Sequence, residues 1–179
     1  MKVLAIIGAP CAGKSVMAAK FYAYLMEKGY RVTLLHETVS TLIKRGKVRD
    51  GSDIDQERII KSILLKLKQL EVTDKTDYVV CEDSVFNARL YNPDLHTDSE
   101  WKELLWRRPV MYMKMDYSEI TKEMYDPSTR IHTYEQCVKL DKDIFNILVK
   151  YKLPYYQCKR YTPVCDVHAS LDYSIDNYL

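Results

Sequence analysis

The sequence predicts a three-layer α/β fold: a five-stranded parallel sheet with helices on both of its faces. Three observations carry that expectation. Short continuous apolar runs recur along the chain, as in strands covered on both sides. Segments of helical period separate them, and alternation of this kind belongs to parallel sheets. A glycine-bearing turn joins the first apolar run directly to the first helical segment.

In chain order, Lys2 to Ile7 is the first apolar run and reads as a buried strand. Ser15 to Lys28 places Met17, Phe21, Tyr24 and Leu25 on one helical face, and Gly29 stands where a helix-ending glycine belongs. A second strand covers 32–35. The stretch 44–51, with two glycines and Lys44, Arg45, Lys47 and Arg49, reads as an exposed loop. From Asp53 to about Glu71, Ile59, Ile60, Ile63, Leu64, Leu67 and Leu70 form a broad apolar stripe, and Asp53 with Gln56 has capping-box spacing. Strands are expected over 78–81, 110–115 and 154–158, with a short helix over 99–106. Thr133 and Gln136 cap a helix reaching about Lys150. The segment 116–132 lacks periodicity and reads as a lid. The stretch from about 160 to 179 reads as a polar tail, and 1–179 as a single domain.

Bulk properties bound the function. The 179 residues are 47% hydrophobic and 29% charged, which suits a globular domain and excludes a disordered or fibrous chain. A net charge of +2 does not by itself call for a polyanionic partner. The five cysteines form no metal-binding pattern; Cys81 and Cys158 lie in apolar runs, where a thiol acts as a small hydrophobe. Their odd, scattered distribution, with no leader and no membrane-length apolar run, points to the cytoplasm. The fifteen tyrosines read as packing residues with a wet hydroxyl. Trp101 and Trp106 read as helix anchors on the core, with platforms for a base as the alternative.

Gly8-Ala9-Pro10-Cys11-Ala12-Gly13-Lys14-Ser15 matches the phosphate-loop pattern GxxxxGK[ST], with a strand before it and a helix after it. The glycines let backbone amides turn toward phosphates, and the new helix adds its positive end. The segment Gly8 to Val16 is therefore assigned to the phosphates of ATP. Lys14 reaches the β- and γ-phosphates, and the Ser15 hydroxyl ligates Mg²⁺.

Such a loop needs a carboxylate from a neighbouring strand end. Asp83 is the first candidate for the metal, with Glu82 beside it; adjacent strand residues point to opposite faces, so only one should face the phosphates. Asp83 capping the helix after Ser84 is the alternative. Glu37, after the second strand, is placed to accept a proton from an acceptor hydroxyl or to bind the acceptor. Positive charge at the migrating phosphoryl group is assigned to Arg130 in the lid. Arg107 and Arg108 are further candidates, though a solvated face explains them as well. Arg45, Gln56 and Arg108 complete the candidate acceptor set, and the 44–49 basic residues could hold an acceptor phosphate or a nucleic-acid backbone.

With these motifs in place, the chain resembles the small P-loop kinase and AAA-like ATPase group that includes ribosylnicotinamide-kinase domains and phage-encoded kinases. The matching features are Gly8–Ser15, the strand ending at Glu37, the Asp55-Gln56 helix start, Asp83-Ser84, Met115-Asp116 and the junction from Arg130 to Thr133. The resemblance implies a sheet order of 2-3-1-4-5, a lid after strand four, and transfer of the ATP γ-phosphate. It implies a nucleoside- or nucleotide-type acceptor, with Glu37 as base. Deoxynucleoside-kinase relatives carry an arginine just after the third-strand acid; here the nearest is Arg89. Phage relatives add DNA or a hydroxymethylated base as an alternative acceptor, and a host cytoplasm as location. A regulatory NTP-binding protein is the reading from another class. A homodimer is compatible with all three.

Overall fold

The computed structural model describes residues 1–36, 55–73, 75–82, 84–106, 110–125 and 132–169. Its centre is a five-stranded sheet in the order β2-β3-β1-β4-β5, the order that the resemblance implies. The strands are β1 (Lys2–Ile7), β2 (Val32–Leu35), β3 (Tyr78–Cys81), β4 (Val110–Met115) and β5 (Tyr155–Cys158). All four pairings are parallel, with Leu4 opposite Val80 and Met111, Leu35 opposite Cys81, and Met115 opposite Cys158.

The helices are α1 (Lys14–Glu27), α2 (Gln56–Thr73), α3 (Val85–Tyr91), α4 (Asp98–Trp106), α5 (Tyr134–Lys150) and α6, over 164–169. Because side chains alternate along a strand, β1 feeds two cores. Leu4 and Ile6 join α1 residues Met17, Phe21 and Leu25, together with Val167 of α6. Ala5 and Ile7 join Phe86 of α3, Trp101 and Leu105 of α4, and Ile144 and Leu148 of α5. Ile59, Ile63 and Leu67 of α2 cover Val3, Val79 and Cys81. The stripe read on α2 is thus the face it buries.

Local signals explain the helix boundaries. Thr133 caps α5 in a reciprocal box with Gln136. Thr97 and Glu100 form a similar pair before α4, with Glu100 accepting from the Thr97 amide at 2.8 Å. The cap of α2 is Asp55, whose carboxylate accepts from the Arg58 amide at 2.9 Å, so the capping register lies two residues beyond the expected Asp53. Gly29 adopts a left-handed φ of 85° just after α1, as its position suggests.

One expectation is corrected in part. The stretch from 160 is not all polar tail. Lys159 donates its amide to Thr162 Oγ1 at 2.8 Å, and α6 then buries Val167 in the α1-side core. His168 joins a ring cluster with Phe21, Tyr24, Tyr30 and Tyr78. Tyr117 and Ile120, at the start of the segment read as a lid, are buried in the same core. Trp101 is fully buried, whereas Trp106 is half-exposed and donates its indole N–H to the Tyr151 carbonyl at 3.0 Å. All five cysteines are free thiols, with Cys81, Cys137 and Cys158 buried. No helix among the described residues is long and apolar enough to cross a membrane.

Candidate active site

The carboxyl ends of β1, β3 and β4 meet at one edge of the sheet, the place where open α/β sheets bind ligands. There the chain turns from Ile7 through Gly8–Gly13 into α1. Cys11 has a left-handed φ of 68° and Gly13 a φ of 94°, so the loop curls rather than extends. Gly8 is required by space: a Cβ there would lie 2.9 Å from Met115 Cβ. The first helical bond at this end runs from the Met17 amide to the Gly13 carbonyl at 3.0 Å. The preceding helical amides have no partner within the helix and carry its positive end. Lys14 folds back over the loop, donating to the carbonyls of Gly8 at 3.0 Å and Ala9 at 3.3 Å. Ala9, Pro10 and Ala12 are buried beneath, while Ser15 and Val16 are exposed.

The carboxylate that meets this loop is Glu82. Its Oε2 accepts from Ser15 Oγ at 2.6 Å, and its Oε1 lies 3.2 Å from His36 Nδ1. The residue is only 4% exposed. The reason lies in strand parity. Tyr78 and Val80 pack on the α1-side core with Leu4 and Ile6. Glu82 continues that parity one step past β3 and so faces the helix that carries Ser15. The sequence favoured Asp83 for this place and held Glu82 as its neighbour; Asp83 lies outside the described residues.

Two further groups close around the loop. Arg160, after β5, lies across Gly13, its Cγ 3.4 Å from where a Cβ on that glycine would be. His132, before α5, stacks on Tyr91 at the end of α3 with ring centroids 5.7 Å apart. Burial lowers the His132 pKa, and the nearby Lys14 ammonium lowers it further. The Tyr125 hydroxyl donates to the His132 carbonyl. Burial pushes up the pKa of the Cys137 thiol, in the first turns of α5, and the Lys14 ammonium pulls the other way.

Of the residues singled out in the sequence, Gly8 to Val16 are brought together as expected. Gln56 is buried at the start of α2, and the described contacts do not bring it to the phosphate loop. Glu37, Arg45, Arg108 and Arg130 lie outside the described residues, as do Lys44 to Arg49 and Arg107. Arg89, the nearest arginine after the third strand, has a structural occupation. Its Nε donates to Tyr151 Oη at 3.0 Å, and its guanidinium sits over the rings of Trp101 and Tyr151. Asp98 closes that cluster, accepting from Tyr151 Oη at 2.8 Å and Lys150 Nζ at 2.7 Å, and Lys150 holds its pKa down. His36, Arg160, His132 and Tyr91 are the residues around the loop and Glu82 that the sequence analysis does not place, because only tertiary contact brings them there.

The donor set fits a magnesium nucleotide. A hydroxyl and a buried carboxylate are hard oxygen ligands, and Mg²⁺ commonly takes one or two such groups plus phosphates and water. No cluster of three or more His, Cys, Asp or Glu side chains that could hold a metal occurs among the described residues, so a dedicated protein cage is not what they offer.

Comparison with known proteins agrees with this fold. A family profile described as AAA domain matches residues 3–161. A crystal structure of thymidylate kinase from Ehrlichia chaffeensis shares the fold with a TM-score of 0.59 and 14% identity, covering 97% of this chain and 98% of that one. No curated protein matches the sequence.

Proposed function

The chain belongs to the AAA domain family, within the small P-loop kinase and ATPase group, and on that premise we propose that it is an ATP- and Mg²⁺-dependent phosphotransferase acting on a nucleoside- or nucleotide-type acceptor. The observation that carries this reading is the 2.6 Å bond from Ser15 Oγ to the buried Glu82 at the mouth of a curled glycine loop. The fold shared end to end with a thymidylate kinase is consistent with an acceptor of that class.

The residues divide the work as follows. Backbone amides from Gly8 to Val16 bind the phosphate tail, and the start of α1 adds its positive end. Lys14 exchanges two carbonyl partners for phosphate oxygens, which are stronger acceptors for an ammonium. Ser15 and Glu82 hold the metal, which, when bound, neutralises charge on the phosphates and orients them. In the same proposal Glu37 takes the acceptor's proton, and Arg130 brings positive charge to the migrating group. Arg160 and the Tyr91–His132 pair flank the loop and limit where the nucleotide and acceptor can lie. Asp83 keeps a part in this proposal as an alternative metal-side carboxylate.

The test is transfer of label from [γ-³²P]ATP to a panel of nucleosides, nucleotides, ribosylnicotinamide, and plain or hydroxymethylated DNA. A small nucleoside or nucleotide should become labelled, and Lys14→Ala should reduce labelling by about 10²–10³-fold. Labelling of DNA alone, with strongly salt-dependent binding, would move the acceptor to nucleic acid. ATP hydrolysis that no acceptor accelerates would favour a regulatory ATPase.

A further inference from the structure

We propose that His36 is a positioning residue for the metal-side carboxylate. Its Nδ1–H holds Glu82 Oε1, so that Oε2 stays turned toward the phosphate loop when the Ser15 hydroxyl is given over to the metal. The inference rests on the phosphotransferase reading above, and it concerns a residue to which the sequence analysis assigns no role.

The contact is set by sheet register. In the β2–β3 pairing Leu35 stands opposite Cys81, and the Glu82 amide donates to the Leu35 carbonyl at 3.0 Å. The ladder therefore continues one step past both strands and brings His36 and Glu82 side by side. No lid or mobile connection is needed to make them meet. The resulting distance from Nδ1 to Oε1 is 3.2 Å.

The carboxylate has reason to need the second partner. The terminal torsion of a glutamate is a soft, two-fold rotation, so one bond fixes an oxygen without fixing the plane. With Ser15 on Oε2 and His36 on Oε1, both are fixed. Once Ser15 turns to a metal, His36 is the remaining hydrogen-bonding partner of the Glu82 carboxylate among the described residues. Groups that hold a ligating side chain from behind commonly change metal affinity by 10–100-fold when removed. The 72% exposure of the His36 side chain fits this role: the imidazole lies at the rim, while Glu82 is buried. A residue kept only for packing would be expected inside.

Calorimetric titration of a non-hydrolysable ATP analogue, repeated across a series of Mg²⁺ concentrations, tests this directly. In His36→Ala the Mg²⁺ concentration needed for half of the metal-dependent gain in affinity should rise by about tenfold. Metal-free binding of the analogue should not change. His36→Asn, whose amide N–H can take the place of Nδ1–H, should restore most of the wild-type Mg²⁺ requirement. An unchanged requirement in His36→Ala would overturn the proposal. So would an equal loss of metal-free binding, which would mark a general structural role, or an asparagine variant no better than alanine. Wild-type protein that binds the analogue while His36→Ala shows no shift defeats this inference alone. Wild-type protein that binds no nucleotide defeats the phosphotransferase reading and this inference with it.

Discussion

One strand, β3, is flanked by two carboxylates that the chain treats differently. At its amino end Asp77 is met by Arg31 three times over, by the backbone amide at 2.9 Å, Nε at 3.1 Å and Nη2 at 2.6 Å. That guanidinium holds the Asp77 pKa down to about 2. At the carboxyl end Glu82 is buried, yet its side-chain partners among the described residues are a serine hydroxyl and an exposed histidine. The exposed acid has a full cation beside it, and the buried one has none of lysine or arginine among the described residues. A buried carboxylate without a strong cationic partner costs free energy. The contrast separates an acid that ties two strands together from the acid that the proposed function assigns to the metal.

Substitutions can break or sharpen this contrast. The largest expected effect is that of Glu82→Gln, which keeps the shape and removes the charge. Mg²⁺-dependent phosphoryl transfer should fall by about 100-fold. Stability without metal should stay level or rise by about 1 kcal/mol, as when a functional charge is neutralised. Urea denaturation beside a kinetic assay checks both halves, and a clear loss of stability would make Glu82 a structural residue like Asp77. Gly8→Ala comes next: the new Cβ, 2.9 Å from Met115 Cβ, meets a fixed atom rather than a flexible tip. A cost of about 1–3 kcal/mol in urea denaturation is expected, with nucleotide affinity lost as the loop shifts.

The smallest effect belongs to Asp77→Asn, which should leave transfer rates alone. Its stability difference from wild type should be present above the unfolded aspartate value of 3.8 and disappear as pH falls through about 2, because a depressed carboxylate pKa stabilises only where the group is ionised. Denaturation curves of both proteins at neutral pH and in acid decide the point. A difference that persisted in acid would mean that the charge of Asp77 is not what matters.

Much of the architecture could be read before the structure, since it depends on local patterns. Apolar runs gave all five strands, the α2 stripe gave its buried face, and Thr133 with Gln136 marked the start of α5. The phosphate loop was equally legible because its chemistry sits in eight consecutive residues. What stayed hidden depends on faces and registers. Choosing between Glu82 and Asp83 requires knowing which parity of β3 faces α1, and that follows from the sheet order rather than from β3 itself. The signal was present in part: Tyr78, Val80 and Glu82 share one parity. The same limit hid His36, which meets Glu82 only through strand pairing, and Arg160, which reaches Gly13 from the far edge of the sheet. Helix α6 was missed because its few apolar residues, Val164 and Val167, are too sparse to show a period without the α1 surface they cover.

In the proposed function the loop from Gly8 to Ser15 and Glu82 together receive a magnesium-bound triphosphate. Titration of wild-type protein with ATP, with magnesium and then with EDTA in its place, tests this most directly. Saturable one-to-one binding is expected, which magnesium tightens in wild type and fails to tighten in Glu82→Gln. An absence of binding in wild type, or equal tightening in both proteins, would contradict it.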